Sequence, residues 1–448
     1  MKKMLQTRLS FRHAALAAAL LPILGACGGG GSSSPSVPPV DNPLACLSIP
    51  AEATLQPVEE GASEWNDVLV DAGNRIWLAG YDRGIIGQTS LEPAGNARGV
   101  VRVLSSAGSL QFDGGDRLDS TGADVAEALA MTPSGTVYAV GRTSGVLSGG
   151  GNQGQFDIFV ASISGARPSD PWGVTQFGDV FPQHPRRVVA TSNEDVYIGG
   201  YNDDYIPSNY VDAWADASVY RLRAARPGDA GTFSVVWSHR SESAEQDYAS
   251  SLAVLPDGSV FLGGVITSGS RAGMFVRKLG AGGAVQWTAR YTTAGVDNVA
   301  VLKALSDGSL LIAGSVAGSF RGGVSAGNQD VFVARINPAD GAVLSSFQLG
   351  TSGAEWLTDL KVDGQGNFYL YGETTGSFLA AKPAAGASDF FLLKVRSDGT
   401  LLKAWQWGTE GDERASSVAL DSCGRAVAVG STTKDGRRQA VVWYPQGQ

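Results

Sequence analysis

Apolar and polar positions repeat along the chain in one order: an apolar run, a tight turn, and a second apolar run that ends in glycine. The runs alternate apolar with polar positions and are rich in β-branched and aromatic residues, which is typical of strands half buried between packed sheets. The turns contain PSG, PDG, SDG and GQGN, which suit hairpins. Seven copies occur, namely DVLVDAGNRIWLAG, EALAMTPSGTVYAVG, RVVATSNEDVYIGG, SLAVLPDGSVFLGG, VLKALSDGSLLIAGS, DLKVDGQGNFYLYG and SVALDSCGRAVAVG.

Most copies continue into a third and a fourth apolar segment. Third segments include DIFVASI, MFVRKL and DFFLLKV, and fourth segments such as VQW and LKAWQW carry aromatic residues. A repeat of about sixty residues is too long for a helical solenoid unit and suits a four-stranded blade. The sequence therefore predicts an all-β fold, a seven-bladed β-propeller of four-stranded antiparallel blades, over residues 51–448. The glycines that close the second segments are Gly80, Gly141, Gly200, Gly264, Gly314, Gly372 and Gly430.

Two copies carry a recognisable motif. SGTVYAVGRTSG with DIFVASI, and GNFYLYGETTGSF with DFFLLKV, resemble the SBBP-type bacterial propeller repeats. The resemblance covers nearly all of residues 55–448, and the third and seventh copies depart furthest from the pattern. It implies the fold far more than a function, because such propellers are found in many surface and exported proteins.

The seventh copy stops after its third segment, at QAVVWYPQGQ. The stretch TLQPVEEG, which precedes the first copy, has the pattern of a fourth segment. We therefore predict that this N-terminal strand completes blade seven. Such closure removes an exposed sheet edge and ties the two ends of the propeller together.

Two cysteines lie near this closure. Cys46 comes just before the closing strand, and Cys423 lies in the turn between the first two segments of the seventh copy. If the strands alternate in direction, both lie on one face of the disc, which we call the proximal face; the opposite face is the distal face. In an oxidising compartment this placement predicts a Cys46–Cys423 disulfide, with two free thiols as the alternative.

The N-terminus has the composition of an export signal. In residues 1–26, four basic residues precede the apolar stretch AALAAALLPILGA, which is too short and wrongly flanked for a spanning helix. The stretch ends in LGAC, which resembles a bacterial lipoprotein lipobox. The resemblance implies that Cys27 is acylated and that, with Gly28 after it, the protein is sorted to the outer membrane; the side of the membrane that it faces stays open. The Gly-, Ser- and Pro-rich residues 27–50 are predicted to form a lipidated tether.

Charge limits the class of partner. Without the four basic residues of the signal, the chain carries 30 basic and 43 acidic side chains, a net charge of −13. This balance disfavours nucleic acid and anionic membrane surfaces as partners. We expect a monomer that contacts the membrane through its lipid anchor alone.

Each copy has an acidic residue, or in one case a histidine, at the start of its first segment, five residues before a recurring Leu or Val. This position begins the innermost strand of a blade, so these residues are predicted to ring the channel mouth on the distal face. They are expected to accept backbone N–H bonds between blades, and the alternative is a mouth that binds a cation or a basic ligand. The seven residues are Glu64, Asp124, His184, Asp247, Asp297, Glu355 and Glu413.

The longest connection on the distal face covers residues 201–216 and mixes aromatic with acidic side chains. Loops rich in Tyr and Trp serve protein and sugar recognition. We predict Tyr201, Tyr205, Tyr210 and Trp214 as binding-loop residues, with a blade-specific elaboration as the alternative.

Groups suited to catalysis are scarce. Outside the signal there are two histidines, His184 and His239, which fall on an inner and an outer strand of the same blade. No Walker or HExxH pattern occurs, and the Asp-Gly turns lack EF-hand spacing, so no metal or cofactor is predicted. RSDGTLLKAW and NPADGAVLSSF resemble quinoprotein propeller repeats. That resemblance keeps a cofactor enzyme open.

The sequence therefore favours a non-catalytic, outer-membrane-anchored module that binds or scaffolds protein or glycan partners at its distal face. The alternative is an envelope enzyme, a metal-dependent hydrolase or lyase or a quinone oxidoreductase, whose site is the acidic channel mouth.

Overall fold

The fold is a seven-bladed β-propeller, as the repeats predict. The computed structural model describes residues 46–48, 53–55, 62–84, 97–147, 151–191, 195–204, 214–224, 233–241, 245–267, 273–293, 297–379 and 385–446. Cys27 and most of the predicted tether lie outside these ranges. The described residues include no helix long and apolar enough to cross a bilayer.

Strands account for nearly all of the regular structure. A single 3-10 turn, Gly115–Arg117, is the one helical element among the described residues. The strands are β1 (Ala53–Leu55), β2 (Ala62–Val70), β3 (Ile76–Gly84), β4 (Arg98–Leu104), β5 (Leu110–Asp113), β6 (Asp124–Met131), β7 (Thr136–Thr143), β8 (Asp157–Ser164), β9 (Gly173–Phe177), β10 (Gln183–Ala190), β11 (Asp195–Asp204), β12 (Trp214–Ala224), β13 (Phe233–Arg240), β14 (Asp247–Val254), β15 (Val260–Ile266), β16 (Gly273–Leu279), β17 (Val285–Tyr291), β18 (Asn298–Ala304), β19 (Leu310–Val316), β20 (Asp330–Ile336), β21 (Val343–Leu349), β22 (Glu355–Val362), β23 (Phe368–Thr374), β24 (Asp389–Val395), β25 (Leu401–Trp407), β26 (Glu413–Leu420), β27 (Ala426–Lys434) and β28 (Arg437–Trp443).

Four consecutive antiparallel strands form each of the first six blades, from β2–β5 in blade one to β22–β25 in blade six. Blade seven has the order β26-β27-β28-β1, so the first strand of the chain supplies its outer edge. Ala53 pairs with Trp443, and Leu55 pairs with Val441. The predicted closure is confirmed, although the described strand is only three residues long and residues 56–61 lie outside the description.

The predicted disulfide joins this closing segment to blade seven. Cys46 and Cys423 are bonded, with their Cα atoms 5.8 Å apart across 377 residues of sequence. The next residue, Leu47, donates its backbone N–H to Asp421 Oδ2 at 2.9 Å. Its side chain packs with Trp65 in the apolar cluster between blades seven and one. The entering chain is therefore fixed by a covalent bond, a hydrogen bond and apolar burial at one place.

The core is divided among the junctions between blades. Each of the seven junctions holds its own cluster of buried apolar side chains in the described residues. At the junction of blades six and seven, for example, Tyr371, Phe390 and Trp443 pack with ring centroids 5.7 to 6.3 Å apart. Alternating apolar residues of adjacent sheets thus fill the space between blades, as expected for stacked sheets.

A β-bulge interrupts the inner strand of every blade at an equivalent position. The closing glycine of the second strand lies against the bulge. In blade two, a Cβ atom at Gly141 would overlap the Val125 carbonyl oxygen and lie 2.6 Å from the Phe159 ring. The repeated glycine therefore permits a close backbone approach that no other residue allows. The bulged residues are Asn66, Glu127, Arg186, Ser250, Ala300, Thr358 and Ser416.

Candidate functional site

Five of the seven predicted ring residues share one register at the start of an inner strand. Each lies 17 residues before the closing glycine of its blade. All five are buried, and none of them lines the channel cavities described below. They are Asp124, Asp247, Asp297, Glu355 and Glu413.

These acids bind the connection that enters their own blade from the preceding one. Glu413 accepts hydrogen bonds from the Thr409 backbone N–H at 3.1 Å and from the Thr409 and Thr432 hydroxyls at 2.7 and 2.6 Å. Glu355 makes the same set of contacts in blade six. Burial raises the pKa of Glu413 and of Asp124. The five acids are therefore structural acceptors between blades, which matches the structural interpretation of the ring.

Glu64 and His184 occupy a different register. They lie 16 residues before their closing glycines, so Ser63 and Gln183 hold the ring position in blades one and three. The sequence alignment counts back five residues from a Leu or Val, and blades one and three each have two such residues side by side. Counting from Leu69 and Val189 gives Glu64 and His184, whereas the correct count starts from Val68 and Val188. A shift of one residue turns a side chain to the opposite face of the sheet. Glu64 consequently faces the channel.

The bulged residues, rather than the ring residues, line the channel. They lie 14 positions before the closing glycines, and all seven border a cavity of about 240 Å³ that we call the distal chamber. The chamber lies between the N-terminal halves of the inner strands, on the face opposite the Cys46–Cys423 disulfide. The sequence analysis missed these residues; the spacing to the glycine would have found them.

The distal chamber is lined by more positive than negative charge. Glu127 accepts a hydrogen bond from Arg142 Nε at 3.0 Å. Arg186 Nη1 lies 3.7 Å from the other Glu127 oxygen. Arg414 Nε lies 3.6 Å from Glu64. The charged lining residues are Arg142, Arg186, Arg187, Arg414, Glu64 and Glu127. The mouth is therefore cationic, which is the reverse of the acidic mouth that the sequence predicts.

His184 supports one wall of this chamber. Its Nδ1 lies 3.0 Å from Arg142 Nη1, and its Nε2 lies 2.9 Å from Asp203 Oδ2. Because Arg142 is a donor, Nδ1 is the acceptor and Nε2 carries the proton. The imidazole ring also stacks on Tyr201, with centroids 4.7 Å apart. His184 thus orients Arg142 rather than facing the channel itself.

Arg187 separates the distal chamber from a second cavity further along the axis. Its Nη2 donates to the Thr358 carbonyl oxygen at 3.2 Å, which joins blade three to blade six across the channel. Arg187 borders both cavities. Among the described residues, its guanidinium donates hydrogen bonds to two backbone carbonyls and forms no ion pair. The channel therefore ends, from the distal side, at a guanidinium that forms no ion pair with a described residue, although its charge acts on Asp67 and Asp359 of the second cavity.

The second cavity, the proximal chamber, has a volume of about 290 Å³ and contains a linked polar group. Ser417 Oγ lies 2.6 Å from Asp67 Oδ1 and 2.9 Å from Asp359 Oδ2, and Lys361 Nζ lies 2.6 Å from the same Asp359 oxygen. Burial raises the pKa of Asp67. Burial also opposes ionisation of Asp359, but the Lys361 and Arg187 charges outweigh it and lower its pKa. Burial lowers the pKa of Lys303, which borders the chamber too.

One hydroxyl proton cannot serve both carboxylates. Since Asp359 is paired with Lys361, the short contact of Ser417 with Asp67 is satisfied when Asp67 carries a proton and Ser417 donates to Asp359. Asp359 also accepts the Val418 N–H, and Asp67 accepts the Leu129 N–H. The group thereby links blades one, two, six and seven at the axis.

The predicted binding loop is shorter than residues 201–216. β11 continues to Asp204 and β12 begins at Trp214, while Tyr205 and Tyr210 lie outside the described residues. Tyr201 is a strand residue whose hydroxyl accepts a hydrogen bond from Arg186 Nη2 at 3.0 Å. Its ring lies between His184 and Tyr248. It acts as a support for the chamber wall, not as a loop residue.

Glu373 lies beside Arg414 at the edge of the chamber and provides a test of this electrostatic arrangement. Partial burial raises its pKa to about 7, opposed by the Ala415 N–H bond and the Arg414 charge. At pH values between the ordinary pKa of 4.5 and the raised pKa of about 7, the folded state keeps a proton that the unfolded state has lost. We therefore expect the free energy of unfolding to fall by up to about 3 kcal/mol between about pH 5 and about pH 8.

The variant Glu373→Gln should remove most of this pH dependence and match the wild type at about pH 5, where the wild-type carboxyl is neutral in the folded state. Urea unfolding at several pH values measures the effect. A pH dependence that the variant leaves unchanged would contradict the raised pKa.

The two histidines outside the predicted signal lie on different strands of one blade, His184 on the innermost strand of blade three and His239 on its outermost strand. Among the described residues, the one group of three possible metal ligands is Cys46, Asp421 and Cys423, but the two sulfur atoms are bonded to each other. What the channel offers is cationic binding groups, held in place by buried partners.

No protein-family model matches the sequence, and none of the curated proteins matches it. The SBBP-type resemblance therefore stays a prediction. Several solved structures share the fold at low identity. A protein of unknown function from Dyadobacter fermentans is 11% identical over 88% of this chain and 98% of that one, with a TM-score of 0.47. YCF48 bound to a D1 peptide is 14% identical over 88% and 95%, with a TM-score of 0.46.

An enzyme is also among the similar structures. Virginiamycin B lyase from Staphylococcus aureus, in a catalytically inactive form with quinupristin, is 8% identical over 87% of this chain and 98% of that one, with a TM-score of 0.46. Likeness at this level concerns the fold alone, because propellers carry unrelated functions. The similar structures include a protein with a bound peptide and an enzyme, and this likeness carries no function to the chain.

Proposed function

We propose that this protein is a membrane-tethered, non-catalytic binding module that recognises an acidic group of a protein partner in its distal chamber. The observation that carries the proposal is the cationic lining of that chamber, four arginines against two glutamates, in a chain with an acidic net charge. Convergent charge inside a concave, low-dielectric site attracts the opposite charge and raises association rates.

The position of the disulfide supports this orientation. Cys46 meets Cys423 at the turn between β26 and β27, which marks the proximal face. A tether anchored through Cys27 would enter there and leave the distal chamber directed away from the membrane. We retain outer-membrane anchoring as part of the proposal, on the strength of the lipobox resemblance.

A protein partner fits the chamber better than a glycan does. Sugar sites use exposed aromatic faces for stacking, but the Tyr201 ring is covered by His184 and Tyr248, and Trp65 is buried. Trp356 on the inner strand of blade six is markedly exposed, at 39%, but it is a single ring and does not line the chamber. Guanidinium groups, in contrast, match carboxylates in geometry and charge.

The enzyme alternative places its chemistry on the acidic ring. The burial of the five in-register acids among N–H and O–H donors favours the binding proposal over a site at that ring. Two of the hydroxyls that border the distal chamber are engaged: Ser250 donates to the Val299 carbonyl oxygen at 2.6 Å, and Thr358 donates to that of Tyr371 at 3.2 Å.

Affinity capture tests the proposal. The protein without residues 1–26, immobilised through its N-terminus, is exposed to envelope extract of the source cells, and bound proteins are quantified by mass spectrometry. Arg186→Gln/Arg414→Gln should reduce recovery of the specific partner about tenfold or more, because both charges border the chamber. Arg167→Gln/Arg396→Gln is the matched control, since it removes the same charge from exposed positions outside the chamber. Equal recovery by all three proteins would refute the proposal.

A further inference from the structure

We infer that the group received by the distal chamber is a chain-terminal carboxylate, the C-terminus of a peptide, which pairs with the Arg187 guanidinium. The inference deepens the proposed function and rests on it. The feature behind it is an arginine that faces the channel, bridges opposite blades, and forms no ion pair within the part of the chain that the structure describes.

Arg187 differs from the other arginines of the chamber. Arg142 is bound to Glu127 and His184, and Arg414 is close to Glu64. Arg187 donates only to backbone carbonyl oxygens, those of Arg186 and Thr358, both at 3.2 Å. A guanidinium held in a partly enclosed channel without a direct ion pair is a site where an anion gains a charge-assisted, bidentate contact.

The chamber ends at this residue. The distal and proximal chambers have Arg187 in common and no other lining residue, so a group entering from the distal face meets its guanidinium at the floor. A cavity of about 240 Å³ is smaller than pockets that enclose a whole drug-sized ligand, about 300–1,000 Å³. It can hold the end of a chain, whereas a segment running through the channel would have to displace Arg187.

The charges favour a carboxylate over a phosphate dianion. The walls include Glu64 and Glu127, and three of the four arginines lie within 4 Å of them, so Arg187 at the floor is the one lining arginine without an ion pair among the described residues. A monoanion matches that charge. The opposite wall leaves room, because the bulged residues of blades four to seven are small, and the Ser416 hydroxyl has no hydrogen-bond partner in the described protein. The small residues are Ser250, Ala300, Thr358 and Ser416.

Isothermal titration with defined probes tests the inference on the protein without residues 1–26. The probes are N-acetyl-tetra-alanine with a free C-terminal carboxylate, the same peptide as its C-terminal amide, sodium acetate, and inorganic phosphate. The free acid should bind about tenfold or more tightly than the amide, because the amide cannot supply the charge. It should also bind more tightly than acetate, which lacks the chain, and than phosphate.

Arg187→Gln should abolish the difference between acid and amide, while Arg396→Gln should preserve it. If the glutamine variant does not fold, NMR of the wild type decides: the free acid should shift the Arg187 Nε–H signal and the amide should not. Equal binding of acid and amide, no binding of either, or tighter binding of phosphate would overturn the inference. In those cases the proposed function would still hold if partner capture continued to depend on Arg186 and Arg414. If capture did not depend on these arginines, the proposed function would fail as well.

Discussion

Replacing Cys46 and Cys423 together by serine is expected to lower the free energy of unfolding by about 2 to 5 kcal/mol. The bond closes a loop of 377 residues, and cross-linking so long a loop restricts the unfolded chain strongly. It is also the covalent restraint on β1, which contributes only three residue pairs to blade seven. Without it, Leu47 and β1 are held by one short ladder and local contacts.

Denaturant unfolding of the oxidised protein and of the double serine variant measures the loss, with reduced wild type as a second comparison. Hydrogen exchange should locate it, since protection should fall first in β1 and β28 and least in blade four. A variant as stable as the oxidised wild type, or a loss of protection spread evenly over all blades, would contradict this role of the disulfide.

Gly141→Ala should cost about 2 to 3 kcal/mol of unfolding free energy, because the new Cβ would overlap the Val125 carbonyl oxygen and crowd the Phe159 ring. The carbonyl belongs to the bulged inner strand, so relief requires a shift of backbone that also positions Glu127 in the chamber. Both stability and partner capture should therefore decline.

Gly364→Ala is the matched control for this substitution. Gly364 lies in the turn between β22 and β23, and a Cβ atom there meets nothing within 4 Å. Its unfolding free energy should stay within about 0.5 kcal/mol of the wild type. Equal effects of the two substitutions in urea unfolding would show that the closing glycines are not required by the bulge.

The blade count, the closure by β1 and the disulfide could all be predicted, because each leaves a periodic or positional mark on the sequence. Seven apolar runs end in glycine, the seventh copy lacks a fourth segment, and two cysteines flank the missing piece. These features depend on the residue types of strands and turns and on the rule that every blade has four strands. Because the sequence repeats, a copy that lacks one strand is easy to see.

The site could be predicted only in part. Glu64 and His184 were placed one residue out of register because neighbouring apolar residues are interchangeable as anchors, whereas the glycine spacing is constant. The bulge residues share no residue type, so they can be found only by their constant spacing to the closing glycine. The bond from Arg187 to Thr358 joins blades three and six, and a contact across the ring leaves no mark on either strand.

A partner bound in the distal chamber should shield the arginines that line it. Phenylglyoxal labelling of arginine, read by mass spectrometry on the free protein and on the captured complex, measures this shielding. The partner should protect Arg186, Arg187 and Arg414 and leave Arg167 and Arg396 as reactive as before. Protection of Arg167 or Arg396, with the chamber arginines still labelled, would contradict it.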